Sequence, residues 1–421
     1  MNAFRREALQ DFVIQGEKSP PPVFIGRQDI LDNILSPAKL SGRKGNASAG
    51  NTRIIQGAPG AGKSSILSEL ATRSNQQGYP RIIKISNIHL LQALPNVLRA
   101  LAFAGSAPKE NWLNALALFG EKWIQKIGNI SAFGFEVSLG NIFENTPPQD
   151  LLSLEEYIPA EKWHTPVIVA VDEAQRLPVG TDSPSALFLQ AIHDAETALP
   201  LTLVIAGLGD TQSRMRSLGL THGIRAHHLG CFTKDECTEL MSRFCDCFGI
   251  RIGDCTHELC TLSQATDGWP RHMHWAQQAV AEAVLELGID GNLNRIADWA
   301  KVQARSDVLR QGYYSSQFSN EMAFSRKLIA RVMFEVSKAQ IEGEILQEDD
   351  VRKKIKIFSE KDQNGDCELP AGFSPQDLVT HLIHCGALQE DPDNHDMRCP
   401  IPSFQGYIIR RGGLDTDQLA K

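Results

Sequence analysis

The sequence predicts an α/β architecture: a parallel sheet sandwiched by helices, then a wholly helical segment, then a winged-helix-like end. Short apolar runs at 53–56, 81–85, 167–171 and 201–206 alternate with stretches of helical periodicity, the pattern of strands joined by helical crossovers. Val167-Ile168-Val169-Ala170-Val171 is continuously apolar, as a strand covered on both faces must be. From about 231 the strand-like runs cease, and three helical stripes followed by a turn between short segments lead to the end.

A first helix is expected at about 3–15, leading through Ser19-Pro20-Pro21-Pro22 to Phe24-Ile25-Gly26-Arg27. Ile30, Leu31, Ile34 and Leu35 mark the next helix, and the Gly-, Ser- and Asn-rich stretch 36–51 reads as a flexible loop. Strand 53–56 runs into a glycine loop, then a helix carrying Ile66, Leu67 and Leu70, then strand 81–85. Residues 86–130 read as largely helical, and the alternating, glycine-punctuated stretch Phe133 to Gly140 as a β-hairpin.

Thr233 followed by Glu236 is a capping box, and Leu240, Met241, Phe244 and Phe248 share one face of the helix it opens. A last region begins near 311. Its first helix carries Leu328, Ile329, Val332, Met333 and Val336, its second spans 347–358, and its third starts at Ser374-Pro375 with Leu378, Val379, Leu382 and Ile383 inward. The expected division is thus 1–22, a helical stub; 23–230, the sheet domain; 231–310, a helical lid; and 311–421, a winged-helix-like domain.

Composition excludes some classes. No run reaches the roughly 18 apolar residues of a membrane span, and the start lacks an apolar signal core, so a cytoplasmic protein with no membrane partner is expected. The net charge of −8 argues against a coat for nucleic acid. Cys231, Cys237, Cys245, Cys247, Cys255 and Cys260 crowd together without a CxxC pair, and read as reduced packing residues rather than as a zinc site with His257. Asp362, Asn364 and Asp366 imitate a calcium loop, but Cys367 and Phe373 stand where glycine and glutamate are required. His272 and His274, two apart on a helix, face different ways and read as structural.

The chemistry concentrates in 57-GAPGAGKSS-65, which matches G-x-x-x-x-G-K-S after a strand and before a helix. The loop Gly57, Ala58, Pro59, Gly60, Ala61 and Gly62 would cradle phosphates, its glycines letting backbone N–H groups wrap them, with Ser65 continuing into the helix. Lys63 would reach the β- and γ-phosphates of ATP and Ser64 would ligate Mg²⁺. Asp172 and Glu173 stand at the end of the apolar strand: Asp172 suits the metal shell and Glu173 the polarisation of an attacking water. The bland alternative is a carboxylate pair capping a helix at Ala174.

These motifs resemble the AAA+ superfamily over about 23–310, and within it the STAND-like and archaeal origin-recognition-like ATPases. Phe24-Ile25-Gly26-Arg27 resembles the box beside the adenine, and 57–65 and Asp172-Glu173 resemble Walker A and Walker B. Ala206 to Thr211 lies at the sensor 1 position, where Thr211 is favoured over Asp210 and a plain turn using Gly207 and Gly209 stays open. Thr266-Asp267-Gly268-Trp269-Pro270-Arg271 resembles the lid motif, with Pro270 beside the nucleotide and Arg271 in the sensor 2 place. For a trans-acting arginine finger Arg225 is preferred to Arg214 and Arg216, with surface charge the competing reading for each. The resemblance implies a P-loop NTPase sheet sandwiched by helices, followed by a helical lid and a C-terminal winged-helix domain.

It also implies a slow, regulatory ATPase and molecular switch, in which ATP engages Lys63 and Arg271. Such a switch would form a homo-oligomer or engage a separately encoded effector, in antiphage defence or on a mobile element. The alternative is a DNA-loaded ATPase of replication initiation or transposition. A helicase reading of 172–175 lacks a second motif set, and a small-molecule kinase reading sits badly with the lid. Residues 311–421 hold 13 basic and 18 acidic residues, and the third helix has no Lys or Arg, which disfavours DNA reading there. The basic cluster Arg352-Lys353-Lys354 with Lys356 belongs to the second helix.

Overall fold

The computed structural model describes residues 3–16, 21–41, 52–74, 81–85, 135–136, 166–177, 183–288 except 197, 291–318, 324–361 except 345, and 367–402 except 392, 393 and 395, with 98, 154 and 163 singly. In chain order the described elements begin with α1 (Arg6–Gln15), α2 (Gln28–Ser41), β1 (Arg53–Gln56), α3 (Lys63–Ser74), β2 (Arg81–Ile85), β3 (Phe135–Glu136) and β4 (Val167–Val171). They continue with α4 (Pro184–Ala195), β5 (Leu201–Gly207), α5 (Thr211–Ser217), β6 (Arg225–His228), α6 (Lys234–Phe248), α7 (Thr256–Gln264) and α8 (Pro270–Glu286). Last come α9 (Trp299–Phe318), α10 (Arg326–Glu342), α11 (Glu348–Lys361), α12 (Pro375–His384), β7 (Gln389–Glu390) and β8 (Met397–Arg398). None of these helices is long and apolar enough to cross a membrane.

Two compact units divide the chain. One comprises Arg27–Gln56 and Lys63–His228 and is built on a sheet of order β3-β2-β4-β5-β1-β6, parallel throughout. Every residue of β4 and β5 is buried, which explains the unbroken apolar run of β4 and the mostly apolar β5, where Thr202 is the exception. Ile54, Ile83, Val169, Leu189, Leu203 and Ile205 share its core, to which β1, β2, β4, β5 and α4 all contribute. The fold is a P-loop α/β sheet flanked by helices.

Two expectations change here. Of the loop expected over 36–51, residues 36–41 belong instead to α2, which runs to Ser41; that segment holds no Gly or Asn, and residues 42–51 lie outside the described ones. Within the expected hairpin, Phe135–Glu136 pairs with β2 in parallel, so it extends the main sheet. The rest of 133–140, the helical stretch expected at 86–130 (Leu98, a helical position, apart) and the 362–366 decoy lie outside the described residues.

The other unit comprises Met1–Gly26, Gly57–Gly62 and Leu229–Lys421. Here α1 is part of a larger helical core: the Arg5 N–H donates to Phe248 O at 2.9 Å, and Phe12 packs at 5.4 Å from Phe244 and 5.8 Å from Phe248. The capping box forms both bonds, Glu236 N–H to Thr233 Oγ1 at 3.2 Å and Thr233 N–H to Glu236 Oε2 at 2.7 Å, a cap of about 1 kcal/mol. Gly249 closes α6 in the left-handed conformation. Cys237, Cys245 and Cys255 are buried in this core, whereas Cys231 is exposed. Burial pushes the thiols up, Cys237 to about 11 and Cys245 to about 12, so both are protonated and unreactive at neutral pH.

α9 runs unbroken through 310–311, where the expected domain boundary falls. Beyond it α10, α11 and α12 pack in series, and β7 and β8 form an antiparallel pair. A second capping box opens α12, with Ser374 and Asp377 exchanging bonds. Met397 N–H donates to Leu346 O at 2.7 Å and ties β8 to the residues just before α11.

Candidate functional site

The glycine loop 57–62 connects β1 to α3. Gly60 and Gly62 have φ of +85° and +97°, values that only glycine adopts without strain. A Cβ on Gly60 would lie 2.7 Å from Arg271 Cβ and 3.0 Å from Trp269 Nε1, so the loop and the start of α8 are closed on each other. The Arg271 N–H donates to Gly60 O at 3.1 Å, and a Cβ on Gly62 would meet Pro270 Cβ at 3.9 Å. Pro270 sits at the first turn of α8, where its missing N–H costs nothing. Ala61 N–H turns back to Ala58 O at 3.1 Å, keeping the loop around Pro59 compact.

The box residues reach the same unit. Ile25 joins the apolar core of Leu240 and Phe244, with Phe24 half-buried beside it. Gly26 has φ +67°, and a Cβ there would meet Glu236 Oε1 at 2.6 Å. Phe232 N–H donates to Gly268 O at 2.7 Å, bringing the residues just before α6 onto the turn before α8. Arg27, φ +58°, opens the other unit, and its carbonyl accepts the Leu31 N–H at 3.1 Å to start α2.

Within the sheet unit the charged groups gather at the end of β4. Ser64 Oγ donates to Asp172 Oδ2 at 2.9 Å, and Asp172 Oδ1 accepts the Glu173 N–H at 3.0 Å. Lys63 is buried, and burial lowers its ammonium to about 8 against the upward pull of Glu173 and Asp172. It remains charged at pH 7. Ser65 follows, half-buried, on the first turn of α3.

A hydroxyl and a carboxylate oxygen this close suit one hard divalent cation, so Ser64 and Asp172 fit Mg²⁺. Sequence reasoning missed Lys84, whose Nζ lies 3.6 Å from Asp172 Oδ2. A lysine between the apolar residues Ile83 and Ile85, inside the strand rather than at its end, was the signal available.

Glu173 has φ +57°, a left-handed conformation that costs a non-glycine residue on the order of 1 kcal/mol. It precedes the short 3₁₀ turn 174–176 but makes no side-chain cap bond there. Its carboxylate instead accepts from Gln175 Nε2 at 2.6 Å and faces Arg176 Nε at 3.6 Å.

Thr211 begins α5 fully buried, its Oγ1 donating to Leu208 O at 2.6 Å and packing on Gly207. The next residue, Gln212, gives its N–H to Gln56 Oε1 at 3.0 Å, directly before the glycine loop. Asp210 Oδ2 lies 3.8 Å from Arg214 Nε, and Arg214 Nη1 also donates to Leu177 O at 2.9 Å, tying that arginine down within the unit. Arg216 and Arg225 are exposed, the latter at the start of β6 opposite Arg53 in register.

With this geometry in view, comparison with known proteins adds little. No family model matches the sequence, and no curated protein matches it in sequence. Among solved structures it is similar to a Walker-type ATPase of Pyrococcus abyssi, with 16% identity over 91% of this chain and 97% of that one and a TM-score of 0.49. It is similar too to Cdc6p from Pyrobaculum aerophilum, 14% identical over 99% of this chain and 100% of that one, TM-score 0.41. The Thermotoga maritima RuvB Holliday junction branch migration motor is 15% identical over 93% and 96%, TM-score 0.41. At these values the fold assignment rests on the chain's own topology.

In the C-terminal part, each cation of the α11 cluster has an acidic partner. Arg352 pairs with Asp349 and, at 3.9 Å, with Glu348; Lys353 with Asp350 at 3.1 Å; Lys354 with Glu335 at 2.6 Å; Lys356 with Glu360 at 3.8 Å.

Proposed function

We propose that this chain is a slow, regulatory ATPase of AAA+, STAND-like type. It binds MgATP along Gly57 to Ser65 and switches between states according to the γ-phosphate. The observation that supports this best is the bond from Arg271 N–H to Gly60 O, which fastens the first turn of α8 to the phosphate loop. A loop so attached cannot change with its ligand unnoticed by the helical unit. In our reading Arg271 registers the γ-phosphate, Thr211 stands at the sensor position, and Arg225, exposed, serves a neighbouring copy.

For hydrolysis, Glu173 takes a proton from a water whose oxygen attacks the γ-phosphorus, and ADP departs as the β–γ bridge breaks. Lys63 balances charge on the terminal phosphates. Ser64 and Asp172 would hold Mg²⁺, which would supply charge neutralisation on the phosphate oxygens. Glu173 must first leave Gln175 and Arg176, consistent with slow turnover until assembly or a partner releases it.

Residues 311–421 are proposed as a winged-helix-like module that contacts protein. The paired cations of α11 and the absence of Lys or Arg on α12 support protein over DNA as its partner. A role in antiphage defence or on a mobile element, through a homo-oligomer or a separately encoded effector, follows from the resemblance of the motifs. The test is mass photometry of Glu173→Gln with and without ATP, each with and without a short DNA duplex. Assembly with ATP alone supports the switch; assembly only with DNA replaces it by the DNA-loaded ATPase of replication or transposition.

A further inference from the structure

The side chain of Arg271 lies against two buried aromatic rings. Its Cζ sits 4.9 Å from the Tyr313 ring centroid and 5.5 Å from that of Trp275, and the two rings are 6.1 Å apart. Both rings are 3% exposed, so the guanidinium meets their faces with little water between to weaken the attraction. Trp275 Nε1 is buried and makes no hydrogen bond among the described residues. A buried N–H without a partner costs on the order of 1–3 kcal/mol, which phenylalanine would avoid. What indole offers in return is the aromatic face that attracts cations most strongly. Neighbouring His274, pushed down by burial to about 4, is neutral at physiological pH and does not repel the arginine.

Tyr313 belongs to α9. Toward its start α9 is fixed to α8 by Arg305, whose Nε lies 2.5 Å from Glu282 Oε2. Tyr313 stands eight residues further on, about 12 Å along the helix, in the half of α9 that leads toward α10 and the C-terminal elements.

We propose that Tyr313 and Trp275 are positioning residues for Arg271. They hold its guanidinium until a γ-phosphate takes it from them, and the end of α9 is loosened as it leaves. The proposal rests on the reading of Arg271 as the group that registers the γ-phosphate. ATP therefore competes with the two rings for one cation, whereas ADP does not, and the nucleotide state reaches the C-terminal elements through α9.

The test measures ATP and ADP affinities, by calorimetry with hydrolysis blocked by Glu173→Gln. Tyr313→Leu, which removes the ring face but keeps apolar volume, should tighten ATP relative to ADP by about five-fold. Tyr313→Phe should leave the ratio unchanged. Arg271→Ala should abolish the preference for ATP, and Tyr313→Leu should then add nothing. An unchanged ratio in Tyr313→Leu, alongside a collapsed one in Arg271→Ala, overturns the positioning role and leaves the sensor reading standing. A normal ratio in Arg271→Ala removes the sensor reading, and the positioning role with it. If Tyr313→Leu does not fold, hydrogen exchange on the Glu173→Gln chain decides. Amides of α9 near Tyr313 should exchange faster with ATP bound than with ADP, and equal exchange overturns the proposal.

Discussion

Ser64 Oγ donates to Asp172 Oδ2 across 2.9 Å, joining the first turn of the loop helix to the end of the central strand β4. These are the two oxygens assigned to Mg²⁺, so the magnesium dependence of ATP binding should reside in this pair. In excess Mg²⁺ the wild-type chain should bind ATP about ten-fold or more tighter than in EDTA, and Asp172→Asn should erase most of that difference. Titrations giving the variant a full magnesium effect would move the metal elsewhere.

Lys84 gives a prediction of opposite sign. Its ammonium, 3.6 Å from the same Asp172 oxygen, competes with an incoming cation. Lys84→Met should lower the Mg²⁺ concentration needed for half-maximal ATP binding by several-fold, and Lys84→Arg should not. A higher requirement in Lys84→Met would mean that Lys84 assists the site.

Glu173 carries two separable properties, a carboxylate and a strained backbone. Glu173→Gln keeps the backbone and loses the base, so hydrolysis should fall by about 10²–10⁴-fold while ATP still binds. Glu173→Gly loses both, yet φ +57° suits glycine, so its melting temperature should be no lower than that of Glu173→Gln. Wild-type turnover in Glu173→Gln would remove Glu173 as the base. A marked loss of stability in Glu173→Gly would show that the position is not strained.

The glycine loop, the fully buried strand β4, the cap at Thr233 and the helix start at Ser374-Pro375 were legible in the sequence because each depends on local chemistry: positive φ, continuous burial, a side chain reaching its own helix start, a proline at the first turn. Lys84 and Tyr313 were not. What matters in each is a partner far along the chain, Asp172 for one and Arg271 for the other, and no spacing rule joins them. The same limit applies to α1, which looks like an isolated amphipathic stub until Phe12 is seen against Phe244 and Phe248. The loop expected from 36 failed for a different reason. The Gly-rich composition of 42–51 was extended back over a segment that continues α2.

Two buried histidines give the helical unit an acid limit. His272 Nδ1 lies 3.1 Å from Thr266 O and His274 Nε2 lies 3.2 Å from Gly16 O, each placed to donate as a neutral ring. Burial lowers them to about 3 and about 4, with the charges of Arg310 and Arg271 adding to the effect. In the unfolded chain both titrate near 6.5. Their folded values are depressed, so the unfolded state binds the extra protons as pH falls below about 6.5. The stability they allow at neutral pH is then lost, at up to about 2.7 kcal/mol per pH unit once both rings are protonated in the unfolded state. In the sheet unit His193 acts in the other direction. A hydrogen bond to Glu196 raises it, so its contribution is complete below about 6.5 and lost as pH rises through the raised value. Urea unfolding followed by indole fluorescence should therefore show a lower midpoint at pH 5 than at pH 7.5. His274→Gln, which keeps an N–H for Gly16 O but cannot titrate, should remove about half of that difference. Equal midpoints at the two pH values in the wild-type chain would mean that these imidazoles are not held neutral in the fold.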